Sequence, residues 1–134
     1  MSFDVFVQSF RHGDLAPMPS TAFHTVFGPH IDRAEPAHHF WHVQAPDGSQ
    51  ADIYADVDSE SCDSLMLNHF TNGAVLDMLA EYAKRANAVI MPVGCPVLLA
   101  APGQREHLPE GLLDACGSTV IANGRDITAA IGSA

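Results

Sequence analysis

The chain has 134 residues, 47% of them hydrophobic, and carries 16 acidic against 6 basic side chains. This length suits a single domain that buries roughly two-thirds of its unfolded surface, and the apolar fraction excludes a disordered chain. The formal net charge of −10 argues against nucleic acid and anionic membranes as partners, and favours either a basic partner or plain solubility.

Phe3 to Phe10, rich in Phe and Val, predicts a first strand closed by the turn residues His12-Gly13-Asp14. Pro19 and Ser20 mark the start of a short helix, with Phe23, Val26 and Phe27 on one face and Gly28-Pro29 ending it. Residues 29 to 37 hold two prolines and no clear period, so a loop is expected there. His38-His39-Phe40-Trp41-His42 then places three of the eight histidines beside the only tryptophan, at the start of a hairpin centred on Asp47-Gly48. A three-residue loop with Gly48 in the left-handed region is expected to pair Val43 with Ile53 and Trp41 with Ala55. Trp41, Val43, Ala45, Ala51, Ile53, Ala55 and Val57 would then share the buried face. His38, Phe40, His42, Gln44, Asp52, Tyr54 and Asp56 would share the other.

Asp56 to Asp63 is expected to be an acidic loop, and Leu65-Met66-Leu67 a strand covered on both faces. Asn72 or Thr71 is the expected cap of the main helix, in which Val75, Met78, Leu79, Tyr82, Ala83 and Ala86 recur at helical spacing. Ala88 to Met91 is a further strand ended by Pro92. Beyond Pro102-Gly103 the pattern weakens, with one helical turn at 109–113, a short strand at 119–122 and a terminal helix at 126–131. This order predicts one α+β domain over 1–134. The expected architecture is a two-layer sandwich with a mainly antiparallel sheet and two main helices on one face; a ferredoxin-like arrangement with an added strand is the first expectation, and other two-layer sandwiches stay open.

The opening MSFDVFVQSFRHGD, the segment SLMLNHFTNGAVLDML and the later VIMPVGCP resemble a group of small bacterial proteins. Members of that group share an MSFD- or MSYD-type opening strand, an LM-x-NH segment before the main helix, and a proline-and-glycine turn after the following strand. The resemblance implies a soluble bacterial protein and carries over no functional residue.

Cys62, Cys95 and Cys116 are odd in number and lack metal-type spacing, which points to free thiols in a reducing, cytoplasmic compartment. No basic region precedes the first apolar stretch as in a signal peptide, and the longest apolar run, from Ala88, is broken by prolines and a glycine. His38 and His42 are too far apart on an extended strand to share one ion, roughly 13 Å at ~3.3 Å per residue. No metal and no cofactor are therefore expected. His42, Asn68, His69 and Cys95 are the candidate ligand-binding residues. Catalysis by His42, His69 and Cys95 would require them to meet in one pocket, and no catalytic motif surrounds them. The leading expectation is a non-enzymatic interaction module, immunity-type in character. It would hold a basic protein through Asp52, Asp56, Asp58, Glu60 and Asp63, a run that no Lys or Arg interrupts.

Overall fold

The computed structural model describes residues 4–132. Phe3 of the expected first strand, and the extreme start of the opening motif, lie outside them. Strand β1 (Val5–Arg11) alternates buried and outward side chains and turns back at His12-Gly13 into β2 (Asp14–Ala16). Both turn residues have positive φ, 53° and 85°, as a two-residue hairpin turn of the primed type requires. β3 (Met18–Pro19) leads into α1 (Ser20–Val26), which buries Ala22, Phe23 and Val26. Next comes β4 (Ile31–Glu35), in the segment expected to be loop. An edge strand needs partners on one side only, so four exposed residues in sequence leave no apolar period to read.

β5 (Phe40–Gln44) and β6 (Gln50–Tyr54) form the expected hairpin, with the faces as expected and the pairing shifted by two residues. Trp41 lies opposite Ile53 and Val43 opposite Ala51. Gly48, at φ 89°, is the last residue of the loop, so the loop is Pro46-Asp47-Gly48 and Ala45 bonds to Ser49 at 2.7 Å. A shift of two conserves side-chain parity, so Val43, Ala45, Ala51, Ile53, Ala55 and Val57 are buried as one face. Trp41 is partly buried at its edge, its ring tilted against Phe23 at 5.7 Å, and its Nε1 donates to the Ala55 carbonyl at 3.0 Å.

Within the acidic loop, β7 (Ser61–Cys62) pairs with β3 in a small second sheet. β8 (Leu65–Asn68) buries Leu65 and Leu67 but leaves Met66 half-exposed, so it is covered on one face rather than two. α2 (Ala74–Ala86) follows, then β9 (Val89–Pro92) and β10 (Val97–Leu99), the latter hidden in the sequence between Pro96 and the small residues after it. A 3-10 segment at Pro102–His107 precedes α3 (Leu112–Cys116), β11 (Ser118–Val120) and α4 (Gly124–Gly132).

The main sheet runs β11-β10-β9-β1-β8-β6-β5-β4 and is antiparallel except for the β10–β11 pair. Its central four strands, β9-β1-β8-β6, have the order and directions of a ferredoxin-like core. The meander adds β5 and β4 at one edge, and β10 and β11 extend the other. α1, α2 and α4 cover one face, where Phe23, Phe27, Tyr82, Leu79 and Ile127 meet Val5, Val7, Ile53 and Leu67. On the opposite face the described residues cover only the β9–β10 end: the 3-10 segment and α3 close Val89, Val97, Leu99 and Leu108 into a second, small core. Gln104 pins this cover. Its Oε1 accepts from the Ala100 and Ala101 amides, and its Nε2 donates to the Ala88 carbonyl and Asn87 Oδ1.

The start of α2 is not capped by Asn72 or Thr71. Asp47 Oδ2 accepts from the Ala74 amide and Ser49 Oγ from the Val75 amide, both at 2.9 Å, so the hairpin loop supplies the cap from outside the helix. Thr71 Oγ1 instead accepts from the Gln50 amide, and Asn72 Oδ1 from Thr128. Gly73 makes this possible: at φ 141° a Cβ there would lie 2.7 Å from Asp47 Oδ2. Hydrogen bonds from Ser49 and from the Ala74 amide hold the Asp47 carboxyl down to about 2.

Candidate functional site

The uncovered half of the sheet, from β4 across to β1, presents two rows of side chains dictated by strand register. Phe6, Met66, Tyr54, Phe40 and Glu35 are successive cross-strand partners, and the next in line, Met91 on β9, packs against the second core. The row from Phe6 to Glu35 spans four inter-strand gaps, roughly 19 Å at ~4.8 Å per gap. Phe6 is 39% exposed, unusual for a phenylalanine in mid-strand, and the Phe40 and Tyr54 rings lie 5.3 Å apart. The neighbouring row is polar: Arg33, His42, Asp52 and Asn68 are successive partners, and Asp4 extends it by accepting from Asn68 Nδ2 at 3.3 Å.

A bulge between Ile31 and Arg33 brings Asp32 to His42 as well. The carboxylate can only accept, so His42 Nδ1 donates to Asp32 Oδ1 at 2.5 Å. Nε2 lies 3.1 Å from Gln50 Oε1 and 4.0 Å from Asp52 Oδ1. Asp52, largely shielded at 20% side-chain exposure, accepts from His69 Nδ1 at 3.1 Å through its second oxygen. His69 has φ 49°, a left-handed backbone that non-glycine residues seldom adopt. Both nitrogens of His42 are thus engaged by oxygen atoms, and neither is aimed into open space as a general base on a substrate would be.

Of the four candidate ligand residues, His42, Asn68 and His69 gather around Asp52. Cys95 does not join them. It is buried in the β9–β10 turn, and β9 is four strands from β5, roughly 19 Å at ~4.8 Å per gap. Burial pushes its thiol up, away from the thiolate that nucleophilic chemistry needs. Cys62 is buried and raised for the same reason, near the Tyr82 hydroxyl, while Cys116 is exposed, and all three are free.

Of the acidic residues, Asp52 and Asp56 lie along the open face, as strand alternation requires. Asp58 is exposed in the following loop, and Glu60 and Asp63 flank the small sheet, where the Glu60 carbonyl accepts from the Ser20 amide. Among the described residues, the three-member group of donor side chains whose ligand atoms lie within 4.8 Å of one another is His39, Asp56 and Asp58, all exposed. Sequence reasoning missed Asp4, Asp32, Glu35 and Phe6 as members of the face. Their signal lay in strand order, which no local pattern encodes. A larger depression of about 620 Å³, between the β1–β2 hairpin and the end of α2, contains none of the expected site residues. No helix among the described residues is long and apolar enough to cross a membrane.

No protein-family model matches the chain, and no curated protein or solved structure is significantly similar to it. No role at this site is therefore carried over from a relative.

Proposed function

We propose that the protein is an interaction module whose uncovered sheet face receives a basic partner protein. The observation that carries this reading is the pairing of an accessible apolar row with a carboxylate-rich one. Phe6, Met66, Tyr54 and Phe40 supply contact area, and Asp4, Asp32, Glu35, Asp52 and Asp56 lie around them with Arg33 as the cation among them. An apolar strip at the centre with charges around it is the anatomy of a protein interface, and the acidic surround selects a basic occupant. Self-association through this face would set like charges against each other, so a second copy is the poorer occupant. An immunity-type protein masking a basic toxin is the instance that small size and a net charge of −10 favour. The engaged nitrogens of His42 and the separation of Cys95 weigh against the alternative of a metal- or thiol-dependent enzyme.

The test uses a synthetic peptide of interspersed lysines and leucines, with a glutamate-for-lysine version as control, titrated into ¹⁵N-labelled protein. Saturable shifts confined to β1, β5, β6 and β8 are expected with the basic peptide. They should weaken as salt rises, and weaken at least about tenfold in an Asp4→Lys, Asp56→Lys variant, both positions being exposed. Shifts spread over the helical face, or equal affinity after charge reversal, would refute the reading.

A further inference from the structure

At the β4 end of the open face the two rows meet in a shallow pocket of about 330 Å³ lined by Arg33, Glu35, His38, Phe40, Asp52 and Tyr54. Its composition is selective. Two aromatic rings, 5.3 Å apart and tilted by 55°, line it together with the carboxylates of Glu35 and Asp52. Ring faces carry negative electrostatic potential, so rings combined with carboxylates attract a cation, and flat rings suit a flat one. The chain itself supplies a demonstration: the Arg33 guanidinium lies 5.3 Å from the centroid of Phe40, and its Nη2 donates to Glu35 at 3.2 Å. That arginine is 69% exposed in its side chain, so it rests toward solvent, while Tyr54 lines the pocket beside Phe40.

We infer that this pocket is a binding site for the guanidinium of a partner's arginine, with Arg33 as an internal occupant that the incoming group displaces from Phe40 and Glu35. The inference rests on the reading of the face as a docking surface for a basic partner, and names the side chain that anchors it. Arginine fits better than lysine because its planar group can stack on Phe40 or Tyr54 while donating to Glu35, with the Asp52 carboxylate adding negative potential to the pocket wall.

The probe is N-acetyl-arginine amide, compared with N-acetyl-citrulline amide, which has nearly the same shape and no charge. Ring and amide signals of Phe40 and Tyr54 are followed by NMR during titration. The arginine probe should give saturable shifts at these residues and the citrulline probe none. Tyr54→Leu, which keeps bulk on the sheet, should weaken binding about fivefold or more, and Arg33→Ala should strengthen it several-fold by removing the internal competitor. Thermal unfolding of each variant checks that the fold is intact. Equal response to citrulline, no saturable shift at Phe40 and Tyr54, or weaker binding in Arg33→Ala would overturn the inference. If the lysine–leucine peptide still bound the face under those outcomes, the pocket alone would be rejected and the docking surface retained.

Discussion

Ser49→Ala tests the claim that the hairpin loop caps the main helix. Ser49 is buried, its Oγ accepts the Val75 amide at 2.9 Å, and the same hydroxyl donates to Asp47 Oδ1 at 2.5 Å. Val75 is itself fully buried, so its amide has no water to turn to once the hydroxyl is gone. An orphaned buried donor costs about 1–3 kcal/mol, and loss of a helix cap about 0.5–2 kcal/mol. The two ranges describe one event and overlap near 1.5 kcal/mol. For a domain of this size that corresponds to a fall of roughly 4–7 °C in Tm. Urea unfolding should show a lower midpoint at unchanged slope, because the mutation alters stability and not the surface exposed. Asn72→Ala is the matched control: Asn72 lies beside the helix start in sequence but only accepts a long bond from Thr128, 3.5 Å, so its removal should cost under about 0.5 kcal/mol. A Ser49→Ala protein within about 0.3 kcal/mol of wild type, or an Asn72→Ala protein equally destabilised, would refute external capping.

Three further outcomes follow from other features. Because the Asp47 carboxyl is lowered in the folded protein to about 2, below its unfolded value, its contribution to stability is present above about pH 4. That contribution is lost as pH falls toward about 2, so Asp47→Asn should flatten this part of the acid-unfolding curve; an unchanged curve would count against the linkage. Toward a thiol reagent in native buffer, Cys116 should react quickly and Cys62 and Cys95 slowly, with all three equal in denaturant; rapid native modification of Cys95 would contradict its burial. Gly124→Ala would drive a Cβ to 2.5 Å from the Asp77 amide nitrogen, where α4 starts against α2, and should cost on the order of 1–3 kcal/mol by thermal unfolding; a neutral result would mean that the two helices are less closely seated.

Period-two alternation made the faces of the β5–β6 hairpin legible, because burying Val43, Ala51 and Ile53 together admits only one parity. It left the pairing open by steps of two, and the position of Gly48 within the loop decided between them. β4 was not legible, since Ile-Asp-Arg-Ala-Glu between two prolines carries no apolar period, and an edge strand requires none. The cap of α2 was equally hidden: its acceptors come from positions 26 and 27 residues earlier, where a local reading of Thr71 and Asn72 does not look. Around the site, His42 and Asp52 were readable as neighbours because one hairpin holds both. Asp32 and Asp4 reached them through strands whose placement depends on the whole sheet.

The uneven cover of the sheet has a consequence for motion. At the β9–β10 end the strands are sealed on both sides, whereas β4 and β5 rest on a single layer and β4 has one neighbour. Opening of the native protein should therefore begin at β4, and amide exchange should be fastest there and slowest in β1 and β9. A partner laid on the open face would take the place of the missing layer, so occupancy would slow exchange of β5 and β6 even at amides it does not touch. Part of the binding free energy would then appear as added stability of the sheet, and affinity would fall in any variant that loosens β4 without altering a contact.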